Sequence, residues 1–291
     1  MTSEDLFSVA GKRVLVTGGS RGIGAMIAAG LVRNGADVIV SARKVADLER
    51  TAALLSRDGA CRAVTADLST EAGAGQLATA VAERFDRLDV LVNNAGATWG
   101  APLADFPTPA WDKVFNTNVR AVFLLVTQLL PLLRAAASEE NPARVINVGS
   151  IAGLRVPGWE NYAYSASKAA LHMLTQHLAY RLARERITVN AIAPGYFETR
   201  MSAFLFDDSD VRTDVERTVP LGRLGRPDDM AGVVRFLASH AGAYLTGSVV
   251  TVDGGLILAP SEDRPANLSD LTMRCSNHLT RSGDPDGGGN S

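Results

Sequence analysis

Residues 14–24 read VLVTGGSRGIG, and this stretch decides the fold. Four apolar or β-branched residues pass directly into a glycine-rich turn, after which Ile23, Ile27 and Leu31 recur every four residues. The pattern predicts a buried strand, a tight turn and an amphipathic helix. A glycine-rich turn at a helix N-terminus exposes backbone N–H groups where the helix carries partial positive charge. The sequence therefore predicts a pyrophosphate site at this turn.

Six further apolar runs follow, and helical patterns alternate with them. They lie at residues 38–42, 63–67, 88–96, 144–150, 187–195 and 248–255. Because the runs are apolar throughout, they are typical of strands buried on both faces. Strands alternating with helices predict an α/β fold of the doubly wound Rossmann type, with a seven-stranded parallel sheet and helices on both faces.

The chain divides into an apolar body and a polar tail. No linker interrupts residues 8–258, which we interpret as a single NAD(P)-binding catalytic domain. Residues 259–291 have no Val, Ile, Phe, Tyr or Trp and end in GDPDGGGNS. A segment of this composition buries too little apolar surface to offset its ordering entropy, so we expect it to be disordered.

Composition excludes several classes of function. The 291 residues are 46% hydrophobic and 21% charged, and the net charge of -2 gives no basis for binding nucleic acid or an anionic membrane. No run of about 18 apolar residues predicts a membrane span, and the N-terminus lacks a signal-peptide pattern. Cys61 and Cys275 lie far apart, which favours a reducing, cytoplasmic location. The four histidines form no ligand-like cluster, so no metal is expected.

The residues around the glycine-rich turn favour one nucleotide. Gly18 is expected to make the tight turn, and Gly22 and Gly24 to let the backbone approach a phosphate. The second strand ends without the carboxylate that usually binds the ribose 2′-hydroxyl of NAD. Arg21 and Arg43 are suited to bind a 2′-phosphate, so the sequence predicts NADP(H) over NAD(H).

A second pattern, YSASK, places Tyr164 and Lys168 four residues apart on a predicted helix. Residues i and i+4 share a helix face, and a nearby ammonium favours the phenolate, so we expect Lys168 to lower the pKa of Tyr164. Ser150, at the end of a strand, is placed to hydrogen-bond a carbonyl oxygen. By itself the Tyr–Lys spacing is also common by chance. His172 and His177, five residues apart, are interpreted as ordinary polar positions.

Taken together, these motifs resemble those of the short-chain dehydrogenase/reductase family in its single-domain form. The resemblance spans residues 8–258 and rests on motifs in the family's order. They are TGGSRGIG at 17–24, which includes Ser20 and Ile23; Asp67 and Leu68; NNAG at 93–96, which includes Asn94, Ala95 and Gly96; Asn118; Ser150; Tyr164 and Lys168; Pro194 and Gly195; and Thr199.

The resemblance implies a role for each group. Tyr164 would exchange a proton with the substrate oxygen, which Ser150 would hold. Lys168 would bind the nicotinamide ribose, and Asn118 would support a water that links Lys168 to solvent. The remaining positions would contact the cofactor: Gly18, Ser20 to Gly24, Arg43, Asp67 and Leu68, Asn94 to Gly96, and Pro194, Gly195 and Thr199.

Three functions remain open on the sequence. The ending at 220–255 resembles that of 3-oxoacyl-thioester reductases, which favours NADPH-dependent reduction of such a thioester or a related ketone. An NAD(P)-dependent alcohol dehydrogenase acting on a sugar or steroid shares the same motifs. A nucleotide-binding regulatory protein without turnover is the alternative outside enzymes.

Two further expectations concern surfaces. The helical patterns at 110–136 and 162–185 are apolar beyond one stripe, which favours a homotetramer or homodimer. The insertion between Pro194 and Pro220 carries Met201 and the run 204–206, expected to cover the mouth of the site. Packing on the body or at a subunit contact would explain them equally well. Trp99 and Trp159 are candidate walls of the same pocket.

Overall fold

A computed structural model describes residues 2–199 and 209–259 and contains seven parallel strands in one sheet, in the order β3-β2-β1-β4-β5-β6-β7. The predicted doubly wound fold is confirmed. The strands are β1 (Arg13–Thr17), β2 (Asp37–Ala42), β3 (Cys61–Thr65), β4 (Val90–Asn93), β5 (Ala143–Val148), β6 (Ile187–Pro194) and β7 (Val249–Val252). All eight residues of β6 are buried, which explains why the central runs show no polar alternation.

Helices cover both faces of the sheet. They are α1 (Ser3–Leu6), α2 (Gly22–Arg33), α3 (Val45–Leu55), α4 (Glu71–Ala82), α5 (Thr108–Phe115), α6 (Ala121–Ala136), α7 (Tyr162–Leu182), α8 (Ser209–Thr218) and α9 (Pro227–Ala238). Apolar residues of α2, α3 and α9 form one core with the sheet, and those of α4, α6 and α7 form the other. These six helices bury apolar residues against strands that are apolar on both sides.

The strand order creates a crevice at the carboxyl ends of the strands, between β1 and β4. β1 pairs with β2 on one side and with β4 on the other, both in parallel register. The chain leaves β1 toward one face and β4 toward the opposite face, so the two connections diverge. Ligands of open α/β sheets bind at this switch point, outside the carboxyl ends of the strands.

The long helical stretch over residues 108–136 is interrupted. Residues Asn116–Arg120 form a π-helical turn between α5 and α6, which the sequence pattern did not predict. By length and composition alone, this 29-residue stretch is apolar enough to cross a membrane, although it contains no unbroken apolar run of about 18 residues. In the fold, however, α6 buries Val122, Leu125 and Leu129 in the core, as a core helix does. The expected disordered tail beyond Ala259 and the apolar residues at 201–206 lie outside the described residues.

Candidate active site

The glycine-rich turn forms a backbone cradle between β1 and α2. Gly18 and Gly22 have positive φ angles of 64° and 55°, which only glycine adopts without strain. A side chain on Gly24 would overlap the carbonyl oxygen of Gly18 and the amide of Asn94. That amide donates hydrogen bonds of 2.9 and 3.1 Å to the carbonyls of Thr17 and Gly18. The turn is therefore fixed from β4 and presents bare backbone at the start of a helix, which suits a phosphate.

One cleft of about 360 Å³ brings together nearly all of the predicted site residues. Those that line it are Gly18, Ser20, Arg21, Gly22, Ile23, Gly24, Arg43, Asp67, Leu68, Asn94, Ala95, Gly96, Ser150, Tyr164, Lys168, Pro194, Gly195 and Thr199. Asn118 does not line the cleft; it contacts Ala97, which does, and Ser167. The cleft follows the carboxyl ends of the strands, from the end of β3 to the end of β6.

One end of the cleft is basic. Arg21 and Arg43 are both exposed and both line it, together with Lys44, which the sequence analysis did not select. Lys44 directly follows Arg43 at the end of β2, and this position could have identified it as a residue of the cleft. Asp47, also on this wall, forms an ion pair with Arg50 on the same helix. Because Asp47 is already paired, the side chains of Arg21, Arg43 and Lys44 are suited to bind an anion at this end of the cleft.

At the other end of the cleft, Ser150, Tyr164 and Lys168 meet. Ser150 precedes a short 3-10 turn, and its Oγ accepts a hydrogen bond of 3.1 Å from the backbone N–H of Ala152. Tyr164 lies in the first turn of α7 and hydrogen-bonds Ser150. Lys168 Nζ lies 5.6 Å from the centroid of the Tyr164 ring. Helical spacing and the end of β5 together produce this cluster.

The electrostatics of this pair differ from the sequence-based expectation. Burial raises the pKa of Tyr164 above its ordinary value, and the hydrogen bond with Ser150 offsets this only in part. Burial also lowers the pKa of Lys168 to about 8. The expected net lowering of the Tyr164 pKa is not found in this structure, because desolvation disfavours the charged form of both groups and outweighs the stabilising contacts of the phenolate. Tyr164 is therefore a phenol at neutral pH, the form that donates a proton.

Lys168 is held by the backbone rather than by a carboxylate. Its side chain is 4% exposed, and Nζ donates a hydrogen bond of 2.7 Å to the carbonyl of Val148, the last residue of β5. The ammonium has further donors that this single bond does not use. It can therefore bind a second acceptor in the cleft while the strand fixes its position.

The π-helical turn positions Asn118 behind the cluster. Asn118 is 1% exposed; its Oδ1 accepts from the N–H of Ala97 at 2.7 Å, and its Nδ2 donates to the carbonyl of Ala97 at 2.9 Å. Nδ2 also donates to Ser167 Oγ at 2.9 Å, and Ser167 donates to the carbonyl of Tyr164 at 2.7 Å. Asn118 thus joins the loop after β4 to the helix that carries Tyr164. Sequence reasoning missed Ser167, the second serine of YSASK.

Aromatic rings line the approach to the cluster. Trp159 packs edge-on against Tyr196, with ring centroids 6.1 Å apart and an interplanar angle of 71°. Tyr196 and Phe197 line the cleft and also a second cavity of about 490 Å³ beside it. Polar groups in its wall are partnered within the protein: Arg223 pairs with Asp229, and Asp253 accepts from two backbone amides. Neither Trp159 nor Trp99 lines either cavity, so the prediction that they form walls of the pocket is wrong; Trp159 reaches the cleft only through its contact with Tyr196.

A doubly wound sheet whose switch-point cleft joins a phosphate cradle to a serine, a tyrosine and a lysine is the framework of a nicotinamide-dependent oxidoreductase. Within residues 2–199 and 209–259, no three His, Cys, Asp or Glu side chains converge as a metal site. The cleft offers phosphate-binding backbone at the glycine-rich turn and a proton donor at Tyr164.

Comparisons with known proteins identify the family. A family model described as "Enoyl-(Acyl carrier protein) reductase" matches residues 18–257. The rhamnolipids biosynthesis 3-oxoacyl-[acyl-carrier-protein] reductase of Pseudomonas aeruginosa is 52% identical over 252 residues, which cover 87% of this chain and 98% of that protein. The gluconate 5-dehydrogenase of Gluconobacter oxydans is 34% identical over 265 residues, 89% of this chain and all of that protein.

A solved structure agrees with these matches. The Pseudomonas aeruginosa RhlG/NADP active-site complex has a TM-score of 0.85 and 52% identity, and the match covers 87% of this chain and 99% of that one. The chain belongs to the short-chain dehydrogenase/reductase family, and it is an oxidoreductase. The sequence-based preference for NADP(H) agrees with the nucleotide in that complex.

Proposed function

We propose that the protein is an NADPH-dependent reductase that converts a ketone carbonyl, in the class of 3-oxoacyl thioesters, into a secondary alcohol. The observation that carries this proposal is the meeting of Ser150, Tyr164 and Lys168 in the same cleft as the basic end formed by Arg21 and Arg43. Such a cleft can bind the phosphates of a nucleotide at its basic end and place a substrate carbonyl next to Ser150 and Tyr164 at the other end.

The cleft fits NADPH by the chemistry of its walls. The cradle around Gly18, Gly22 and Gly24 has no side chain that would block a pyrophosphate. Arg21 and Arg43 would hold the 2′-phosphate, and Lys168 the nicotinamide ribose. When bound, the nucleotide supplies the hydride, and the protein supplies position and charge.

The residues of this chain supply the proton. Ser150 donates a hydrogen bond to the carbonyl oxygen, which stabilises the negative charge that develops there. Tyr164 gives its hydroxyl proton to the same oxygen. Because the pKa of Tyr164 is raised, the hydroxyl is protonated at neutral pH before the reaction. Lys168 stabilises the phenolate left behind. Asn118 connects the loop after β4 to α7, because it hydrogen-bonds Ala97 in that loop and Ser167 on the helix.

Two observations support a 3-oxoacyl thioester as substrate. The relative with 52% identity is named for reduction of a 3-oxoacyl carrier-protein thioester. The second cavity offers an apolar wall, because its charged groups are already paired, and such a wall suits an acyl chain. Gluconate 5-dehydrogenase, 34% identical, supports the alternative of a sugar alcohol oxidised with NAD(P).

A substrate panel decides between these functions. The panel contains 3-oxoacyl thioesters of increasing chain length, 5-ketogluconate and a steroid ketone, each with NADPH and with NADH. The proposal expects the highest kcat/KM for a 3-oxoacyl thioester with NADPH. Preference for the sugar or steroid would establish the dehydrogenase alternative, and nucleotide binding without turnover on any member would establish the regulatory one.

Residues 8–258 are proposed as a single catalytic domain in the cytoplasm. One sheet includes every strand of the described residues, and the family match spans 18–257. Cys61 is a buried free thiol, as is usual for proteins of a reducing compartment.

Nucleotide selectivity depends on Arg43. Arg43→Ala is expected to lower kcat/KM for NADPH by about 10- to 100-fold, since a hydrogen bond to a charged group contributes roughly 1.5–3 kcal/mol. The value for NADH should change by less than about two-fold, because NADH has no 2′-phosphate to lose a contact. Steady-state kinetics with both nucleotides measures this. Arg57→Ala, an exposed arginine outside the cleft, is the control, and equal losses for both nucleotides would contradict the assignment.

A second copy of the chain is the proposed partner of the outer helical surface. Phe123, Met173 and Tyr180 are exposed on the side of α6 and α7 that faces away from the sheet. A homotetramer or homodimer built on these helices would bury them. Phe123→Asp is expected to give a lower molar mass in light scattering at micromolar concentration. Leu54→Asp, on α3 across the sheet, should leave the mass unchanged, and a monomeric wild-type protein would refute the proposal.

A further inference from the structure

His172 is buried beneath the turn that carries Ser150. Its side chain lies on α7, one helical turn after Lys168, and the residue is 6% exposed. A side chain on Gly149 would collide with Nε2 of His172 and lie 2.8 Å from its Cδ2. A side chain on Gly153 would lie 3.0 Å from Cε1. The imidazole therefore fills the space between the two glycines that flank the Ser150 turn, and it is not the ordinary polar position expected from the sequence.

The same turn is anchored on two other sides by backbone contacts. The N–H of Gly149 donates a hydrogen bond of 2.7 Å to the carbonyl of Ile192 in β6. A Cβ on Gly153 would be 2.6 Å from the carbonyl carbon of Lys168, so the turn rests directly on α7. β6 and α7 thus hold the two ends of the segment 149–153, and the imidazole of His172 fills the space at both glycines.

Stability alone does not account for a histidine at this place. Neither ring nitrogen has a hydrogen-bond partner among the residues that the structure describes, although both are buried. An unpaired buried polar group costs about 1–3 kcal/mol, a cost that an apolar side chain of similar size would avoid. Burial and the neighbouring charge of Lys168 lower the pKa of His172 to about 4, so the ring is neutral at neutral pH. Locally unfavourable choices of this kind are typical of functional sites.

We infer that His172 is a positioning residue for the reaction: its imidazole, between Gly149 and Gly153, fixes the Ser150 hydroxyl relative to Tyr164 and Lys168. The inference rests on the proposed function, because it assigns to His172 an effect that passes through Ser150. A flexible or smaller side chain at position 172 would let the turn shift, and the hydroxyl would no longer meet the carbonyl oxygen. A displacement of about 1 Å is enough to cost a large part of the rate.

A double-mutant cycle on the full chain tests the inference. The variants are His172→Leu, Ser150→Ala and the double variant, assayed for NADPH-dependent reduction of the best substrate of the panel. His172→Leu is expected to lower kcat by about 10- to 100-fold, less than the loss of about 10²- to 10³-fold typical of removing an oxyanion donor. In the Ser150→Ala background the same change should lower kcat by less than about two-fold, because the group it positions is already absent.

The cycle separates positioning from general damage to the fold. The Kd for NADPH, from nucleotide fluorescence, should stay within about two-fold, and the thermal midpoint should not fall, since an unpaired buried polar ring is removed. His240→Leu, a histidine at the opposite end of the sheet, should leave kcat unchanged. Equal losses of kcat in both Ser150 backgrounds, or no loss from His172→Leu, would overturn the inference.

A second variant keeps the test decisive if His172→Leu does not fold. His172→Gln retains a polar side chain of similar length and should show the same dependence on Ser150. If the cycle with His172→Gln is additive, the inference also fails. This outcome differs from failure of the proposed function. If the cycle is additive but Ser150→Ala and Tyr164→Phe still lose activity, only the positioning role of His172 is refuted. A Ser150→Ala variant with full activity would instead refute the proposed reaction.

Discussion

Tyr164→Phe is expected to lower kcat for carbonyl reduction by about 10²- to 10⁴-fold, the range that a positioned general acid contributes. The change removes one oxygen atom and leaves the ring, so packing in the first turn of α7 is preserved. Without the hydroxyl, the cluster loses the phenol that gives its proton to the substrate oxygen, and Ser150 keeps only its hydrogen bond to that oxygen. The measurement is kcat at saturating NADPH and substrate.

The matched control is two residues away. Tyr162→Phe removes the same atom from a tyrosine whose hydroxyl donates to Glu160 at 2.9 Å and which has Ala166, not lysine, four residues later. Its kcat should stay within about two-fold of wild type, because the altered hydroxyl lies outside the cleft. Both variants should bind NADPH as wild type does. A Tyr164→Phe enzyme with more than a tenth of wild-type kcat would contradict the assignment of the proton donor.

The fold was predictable because its signals are local and repeated. Most strands are apolar runs bounded by turn residues. At the glycines of the first turn, a side chain would overlap neighbouring atoms or be strained by a positive φ. A seven-stranded parallel order then follows from the alternation and from right-handed crossovers. The π-helical turn at 116–120 left no such signal, because Val119 continues the apolar spacing that runs from Phe115 in α5 to Val122 in α6.

The sequence identifies the site residues, but it does not predict how deeply each is buried or what each contacts. Ser150, Tyr164 and Lys168 are identified by spacing and resemblance, and the structure brings them together. The direction of the Tyr164 pKa was wrong because burial of both groups depends on tertiary packing, which the spacing of two residues does not contain. His172 was misjudged for the same reason: only the fold brings Gly149 and Gly153 against its ring.

Lys168→Met is expected to have opposite effects on activity and on stability. Loss of the ammonium should lower kcat by about 10²- to 10³-fold, because the phenolate of Tyr164 would form in a buried site without a stabilising cation. The free energy of unfolding without nucleotide should rise. Burial lowers the pKa of Lys168 from 10.5 to about 8, which corresponds to a penalty of about 3 kcal/mol at about 1.4 kcal/mol per unit. The hydrogen bond lost at Val148 offsets about 1 kcal/mol of the gain.

Lys12 provides the matched control. It is 8% exposed at the opposite end of the sheet, donates to Asn141 Oδ1 at 2.8 Å, and burial lowers its pKa to about 8 as well. Lys12→Met also removes a buried ammonium, but far from the cleft, so kcat should stay within about two-fold of wild type. A comparable loss of kcat in both lysine variants would show that the effect of Lys168→Met is not specific to the site.

The pH dependence of the stability difference tests the buried charge itself. Below about pH 8 both the folded and the unfolded wild-type chain keep the Lys168 proton, so the full penalty is present. Between about pH 8 and 10.5 the folded chain releases it while the unfolded chain retains it, so unfolding takes up a proton and wild-type stability rises with pH. The advantage of Lys168→Met in denaturant unfolding should therefore be largest near pH 7 and shrink toward pH 10.5. An advantage that grows with pH would mean that the fold stabilises the ammonium, and the argument for a neutral Tyr164 beside a weakly basic Lys168 would fail.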